Sequence, residues 1–234
     1  MQSTLGEFQE TASQEAFALQ NSKLLKVSLQ QITIQAKLGS MVAYQGDVKF
    51  EHAGSGGVSR LMKKAMTGEG TSLMKLEGTG EVFLADQAQD IHLIKLENDQ
   101  ITCNGANVLA FDAGIDWDIK REKGVGALAG GLFNMALSGS GWVAVVSDGP
   151  PVLLQTGDAA TYADPQAAIT WASSVQTSMK TDVNLKTLIG RGSGESVQMA
   201  FSGPGWVLVQ PSEGRVLQTS NTGGGGGVLG NLTG

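Results

Sequence analysis

The stretch MALSGSGWVAVV, from Met135, returns 64 residues later as MAFSGPGWVLVQ, from Met199. A third version, MKLEGTGEVFLA, begins at Met74. All three run Met, any residue, Leu or Phe, any residue, Gly, any residue, Gly, then an apolar run. Repetition at a near-constant period constrains a fold strongly, because each copy must build one and the same supersecondary unit. The upstream sequence aligns as well. LLKVSLQQITIQAKLGSMVAY ends at Tyr44, IHLIKLENDQITCNGANVLAF at Phe111 and PVLLQTGDAATYADPQAAITW at Trp171, without gaps and each closing on an aromatic. An alternating strand follows each: QGDVKFE, DAGIDWDIK and ASSVQTSMK. Variable links containing VSRLMKKAM, GALAGGLF and VNLKTLIG then lead to the glycine motif, and each fits a short helix or a single apolar turn. The expected organisation is a lead-in over 1–22, β repeats over 23–88, 91–149 and 150–214 forming one compact domain, and a Gly-rich flexible tail over 215–234.

Within each unit the apolar period is two, the period of strands rather than helices. Met74, Leu76, Val82 and Leu84 share parity with Gly78 and Gly80. The same parity groups Met135, Leu137, Val143 and Val145 with Gly139 and Gly141, and Met199, Phe201, Val207 and Val209 with Gly203 and Gly205. An inward glycine has no side chain to pack, so it marks a bend or a close approach of two backbones. Six of them at matching places predict strands that bend sharply, as a rolled sheet requires.

Composition narrows the function classes. The 33 glycines of 234 residues are about twice the usual ~7% share, which fits many short strands and tight turns. A net charge of −6 disfavours a general nucleic-acid binder, and RLMKK at 60–64 is the one basic cluster. The single Cys103 excludes an intrachain disulfide and reads as a structural thiol. With His52 and His92 as the only histidines, no transition metal or other cofactor is expected. Asp112, Asp116 and Asp118 form the acidic run FDAGIDWD, and alternation puts all three on one face; such a face suits a hard cation or, more simply, water. EGTGEV and SGSGWV lack the lysine and following helix of a phosphate loop. The acidic N-terminus has no apolar core of a leader, which points to the cytoplasm. Residues 124–146 carry no charge over 23 positions, the length of a membrane span, but their six glycines argue against one.

The opposite parity of the glycine motifs raises the sharpest question. One position holds Glu81, Trp142 and Trp206 in the three copies. A site that accepts glutamate is not deep core in every unit, whereas exposed tryptophan is costly. Either the links fold back over Trp142 and Trp206, or these residues form an interface with a protein partner or another copy of the chain.

FALQNSKLLKVSLQQITIQAKLGSMVAYQGDVKFE and TGEGTSLMKLEGTGEVFLA resemble the Altered Inheritance of Mitochondria protein 24 family, over about residues 16–214. The resemblance rests on the strand and glycine framework, including GSMVAY and GEG, and carries no catalytic signature. It implies an all-β, TRAP-like fold, after the tryptophan-binding RNA attenuation protein. Three β modules sit around a pseudo-threefold axis as rolled sheets or a β-sandwich, with short helical links. It associates mitochondrial members with inner-membrane organisation, and here a bacterial origin is expected. The resulting expectation is a non-enzymatic binding or scaffold protein within an assembly. The runner-up is a small-molecule or nucleic-acid-binding regulator, by analogy with the attenuation protein. Five consecutive glycines in the tail are entropically costly to order, so amide exchange across 222–234 is expected to be fast. Strong protection there by hydrogen–deuterium exchange is the contrary result.

Overall fold

The computed structural model describes residues 3–13, 15–30, 32–52, 72–121, 133–181 and 197–212. Within these the regular structure is strand, apart from two short 3-10 turns at Leu5–Phe8 and Gly105–Asn107. The strands are β1 (Phe17–Asn21), β2 (Leu24–Ser28), β3 (Ile34–Lys37), β4 (Met41–His52), β5 (Leu73–Leu84), β6 (Asp90–Asn104), β7 (Val108–Asp112), β8 (Asp116–Arg121), β9 (Phe133–Ser147), β10 (Val152–Thr156), β11 (Thr161–Ala163), β12 (Ala168–Ala172), β13 (Gln176–Thr181), β14 (Val197–Ser202) and β15 (Gly205–Val209). A 12-stranded sheet follows the order β1-β2-β5-β3-β7-β9-β6-β12-β15-β10, with β4 on β5 and β8 on β9. A second sheet has the order β11-β14-β13. Every strand pairing among the described residues is antiparallel. The fold is therefore an all-β, antiparallel one.

The glycine motifs form the spine of each pairing group. β5 holds β2 and β3 along one edge and β4 along the other. β9 holds β6 on one edge and β7 with β8 on the other. β15 and β14 hold β10 and β11 on one edge and β12 and β13 on the other. Met74 sits opposite Ala36 and His52, Met135 opposite Cys103 and Ile119, and Met199 opposite Ala163 and Met179. The register also slips at one matching place in each group, at Val42, Leu109 and Ile169, a bulge that turns the strand. Proline accounts for one departure. Pro204 has no N–H for the ladder, and there the spine divides into β14 and β15 where β5 and β9 run on.

Three apolar clusters lie along the sheet. The first gathers Met74, Leu76, Val82 and Leu84 with Phe17, Leu25, Val27, Leu29 and Ile34. The second holds Met135, Leu137, Val143 and Val145 with Ile101, Cys103 and Phe111. The third has Met199, Phe201 and Val207 with Trp171 and Val175. The opposite faces of the spines are not simply wet: Phe83, Ala136 and Ala144 are buried. In β9 both faces are apolar, because Ala144 and Val146 join the first cluster while Val143 and Val145 join the second.

One segment differs from what the sequence pattern predicts. Within the 1–22 lead-in, β1 pairs with β2 and Phe17 enters the core; a five-residue strand is too short to display a period. The uncharged run over 124–146 is strand from Phe133 onward, and no helix among the described residues is long and apolar enough to cross a membrane. The links at 58–66 and 183–190 lie outside the described residues, as does the link at 126–132 up to Phe133, and so do RLMKK and the tail from residue 213.

Five of the six motif glycines have φ between +93° and +158°. A Cβ on Gly78 would stand 2.1 Å from the Asp47 carbonyl oxygen, and one on Gly80 2.1 Å from that of Gln45. Here β4 and β5 approach more closely than side chains permit. Gly78→Ala is expected to destabilise the fold by about 2 kcal/mol or more, from clash and positive φ together. Gly114→Ala, with open space at its Cβ, is expected to stay within about 0.5 kcal/mol. Urea unfolding of both variants checks the contrast.

Candidate interface residues

The position shared by Glu81, Trp142 and Trp206 has a different partner in each group. Glu81 lies opposite Ser28 and accepts from the nearly buried Lys26 ammonium, 2.8 Å away. Lys26 also reaches Glu10 at 3.3 Å and the Thr11 carbonyl at 3.2 Å. These bonds, led by that to Glu81, raise the Lys26 pKa, and the bond to Lys26 leads in lowering that of Glu10. Gln20 ties the same lead-in segment down, accepting from Thr11 N and donating to the Gln9 carbonyl. The N-terminal segment thus forms a strap over the polar end of the first group.

Trp142 and Trp206 are half-buried, and each packs against the apolar cluster of the group before its own. Trp142 lies on the first cluster, with the Lys95 ammonium 5.5 Å from its ring centre. Trp206 lies on the second cluster and lines a shallow groove with His92, Leu93, Ile94, Leu153 and Leu208. Contacts within the chain therefore account for part of the cover on both indoles.

The acidic run does not form one face. β7 ends at Asp112, and a turn at 113–115 separates it from Asp116 and Asp118 on β8, which are exposed. Asp112 instead turns inward and accepts the Trp142 backbone N–H at 2.5 Å. A Cβ on Gly141 would fall 2.6 Å from the same carboxylate, so glycine there makes room for it. Burial pushes the Asp112 pKa up, partly opposed by the Trp142 N–H.

Cys103 is fully buried and donates to Thr170 Oγ1 at 3.2 Å; burial pushes its thiol up to about 12, which leaves it unreactive. His92 Nε2 is 2.7 Å from Ser147 Oγ, and burial lowers its pKa. The side chain of His52 lies outside the described residues. Among the described residues no three His, Cys, Asp or Glu side chains converge as metal ligands.

The apolar surface that parity reasoning passes over is β4. Val42, Tyr44 and Phe50 are exposed, and all of 42–47 lies at the surface. At the places that match in register, Leu109 and Ile169 are fully buried, as are Phe111 and Trp171. The sequence carries the signal in GSMVAY, an apolar strand start with nothing to distinguish it from its buried counterparts.

An antiparallel β protein built around glycine spines is the class defined by this geometry. The chain belongs to the AIM24 family: the model for mitochondrial biogenesis AIM24 matches residues 17–212. No curated protein matches. The crystal structure of protein SPYM3_0169 from Streptococcus pyogenes is similar in fold, with a TM-score of 0.68 at 20% identity over 84% of this chain and 92% of that one.

Asp112 gives a pH-dependent test. A pKa raised by folding favours the fold below the unfolded value of about 3.9 and costs stability as pH rises through the folded pKa. Asp112→Asn keeps an acceptor for Trp142 N without the charge. It is expected to match or exceed the parent's stability at pH 7 and to lose that margin near pH 3. Asp112→Ala leaves the N–H unpaired and is expected to lose about 1–2 kcal/mol at pH 7. Thermal melts at the two pH values measure both.

Proposed function

We propose that this chain is a non-enzymatic binding or scaffold protein that works within an assembly, and that it consists of three successive copies of one TRAP-like β module. The common register of Met74, Met135 and Met199, and the bulge common to Val42, Leu109 and Ile169, support the second part. The observation that carries the first part is the exposed start of β4. Val42 is 60% and Tyr44 48% exposed, where the matching residues of the other two groups are buried. Burying a large apolar side chain is worth about 1.5–3 kcal/mol, so a contiguous Val–Ala–Tyr strand at the surface is best used against a partner. Among the described residues the outer edge of the start of β4 is unpaired, and it supplies backbone donors and acceptors for the same contact.

Native mass spectrometry of protein purified from its own cell tests this reading. A complex of more than one chain, with no small molecule retained, is expected. A single chain carrying one equivalent of a small molecule or nucleic acid overturns it in favour of a regulator.

A further inference from the structure

The sheet passes from one pairing group to the next through two junctions, and both have the same register. At the first, Ile34, Gln35 and Ala36 of β3 face Asp112, Phe111 and Ala110 of β7. At the second, Ile101, Thr102 and Cys103 of β6 face Ala172, Trp171 and Thr170 of β12. Each junction also seats the bulged residue of the later group on the cluster of the earlier one, Leu109 on the first and Ile169 on the second. In the third group the strand matching β3 and the end of β6 is β11, which among the described residues pairs only with β14. In the first group the strand start matching β7 and β12 is that of β4, which among the described residues pairs only with β5. Among the described residues, one donor edge and one acceptor edge of the same junction therefore stand unpaired at opposite ends of the chain. Tyr162 on β11 is exposed, as are Val42 and Tyr44 on β4. The third cluster, with six buried residues against fifteen and twelve in the others, has no bulged residue seated on it.

We propose that these two edges pair between copies of the chain, β11 of one copy with the start of β4 of the next. The register carried over from the internal junctions sets Thr161 opposite Gln45, Tyr162 opposite Tyr44 and Ala163 opposite Ala43. Val42 of the second copy then meets the third cluster of the first. The occupant is a second copy because the contact is one that this chain already makes twice with its own sequence. Glu10 reaches Gln45 at one end of the acceptor edge and leaves Val42 and Tyr44 uncovered. Each copy carries one edge of each kind, so the contact is head-to-tail and generates a ring or a filament. The inference rests on the scaffold reading and on the three-module reading above, and it names the partner.

Cysteine cross-linking tests it. Ala43→Cys and Ala163→Cys are made separately, and Cys103 is left in place because its thiol is buried. Under mild oxidation the equimolar mixture is expected to give a two-chain band on a non-reducing gel, and neither variant alone is expected to do so. The double variant is expected to give a ladder of linked chains. A double variant that links only within single chains, a mixture that does not link, or one single variant linking to itself each overturns the proposal. Light scattering gives a second readout. Val42→Lys with Tyr44→Lys is expected to weaken self-association about tenfold or more while the far-ultraviolet dichroism of β-sheet is kept. A parent protein of single-chain mass at micromolar concentration also overturns the proposal. If native spectra then contain other proteins but one copy of this chain, the scaffold reading stands and the self-pairing falls.

Discussion

Everything in this structure hangs on how closely β4 and its counterparts can lie against the glycine strands. A spine that must accept ladders on both edges and still curve cannot carry a Cβ at the tightest points. At Gly78 and Gly80 the carbonyls of Asp47 and Gln45 occupy the space where a side chain would be. At Gly141 the claimant is the Asp112 carboxylate, and at Gly205 it is the side chains of Val175 and Ser174. The same glycine positions thus serve three different neighbours. Backbone curvature is the common demand, and the local occupant is whatever the adjoining turn provides.

That arrangement lets β9 be apolar on both faces, whereas the opposite face of β5 carries Lys75, Glu77 and Glu81. In a flat sheet one face meets the core and the other meets water. Here β9 gives Val143 and Val145 to one cluster and Ala144 and Val146 to another, because the groups pack side by side along a continuous ladder. Trp142 and Trp206 are the bulkiest expression of this arrangement. Each fastens its own group to the cluster before it, while the first group closes the matching place with the Glu81–Lys26–Glu10 ion pairs under the N-terminal strap.

Much of this was legible in the residues. Period two and the spacing of the three Met–Gly motifs place β5, β9, β14 and β15 and the apolar face of each. The acidic run shows where pattern reading fails. Alternation places Asp112, Asp116 and Asp118 together only if the strand is unbroken, and the turn at 113–115 sends Asp112 inward to the Trp142 N–H. The strap was illegible for another reason. Its anchors are Lys26, Gln20 and Gln45, polar residues with ordinary spacing, and long-range hydrogen bonds leave no periodic trace. Nor does parity distinguish Val42 from Leu109 and Ile169, since exposure at a bulge is decided by which strand arrives beside it.

The order of the junctions also bears on how the chain comes into being. β7 docks on β3, which precedes it, and β12 docks on β6, which precedes it in turn. Each group's own ladder is complete before the next group needs an edge to lean on. A chain emerging from the ribosome N-terminus first therefore meets a finished earlier group at each junction, while within a group the strands wait only for their own spine. Synthesis and assembly run in the same direction, so the growing protein extends its sheet as a mason lays courses, each resting on the last.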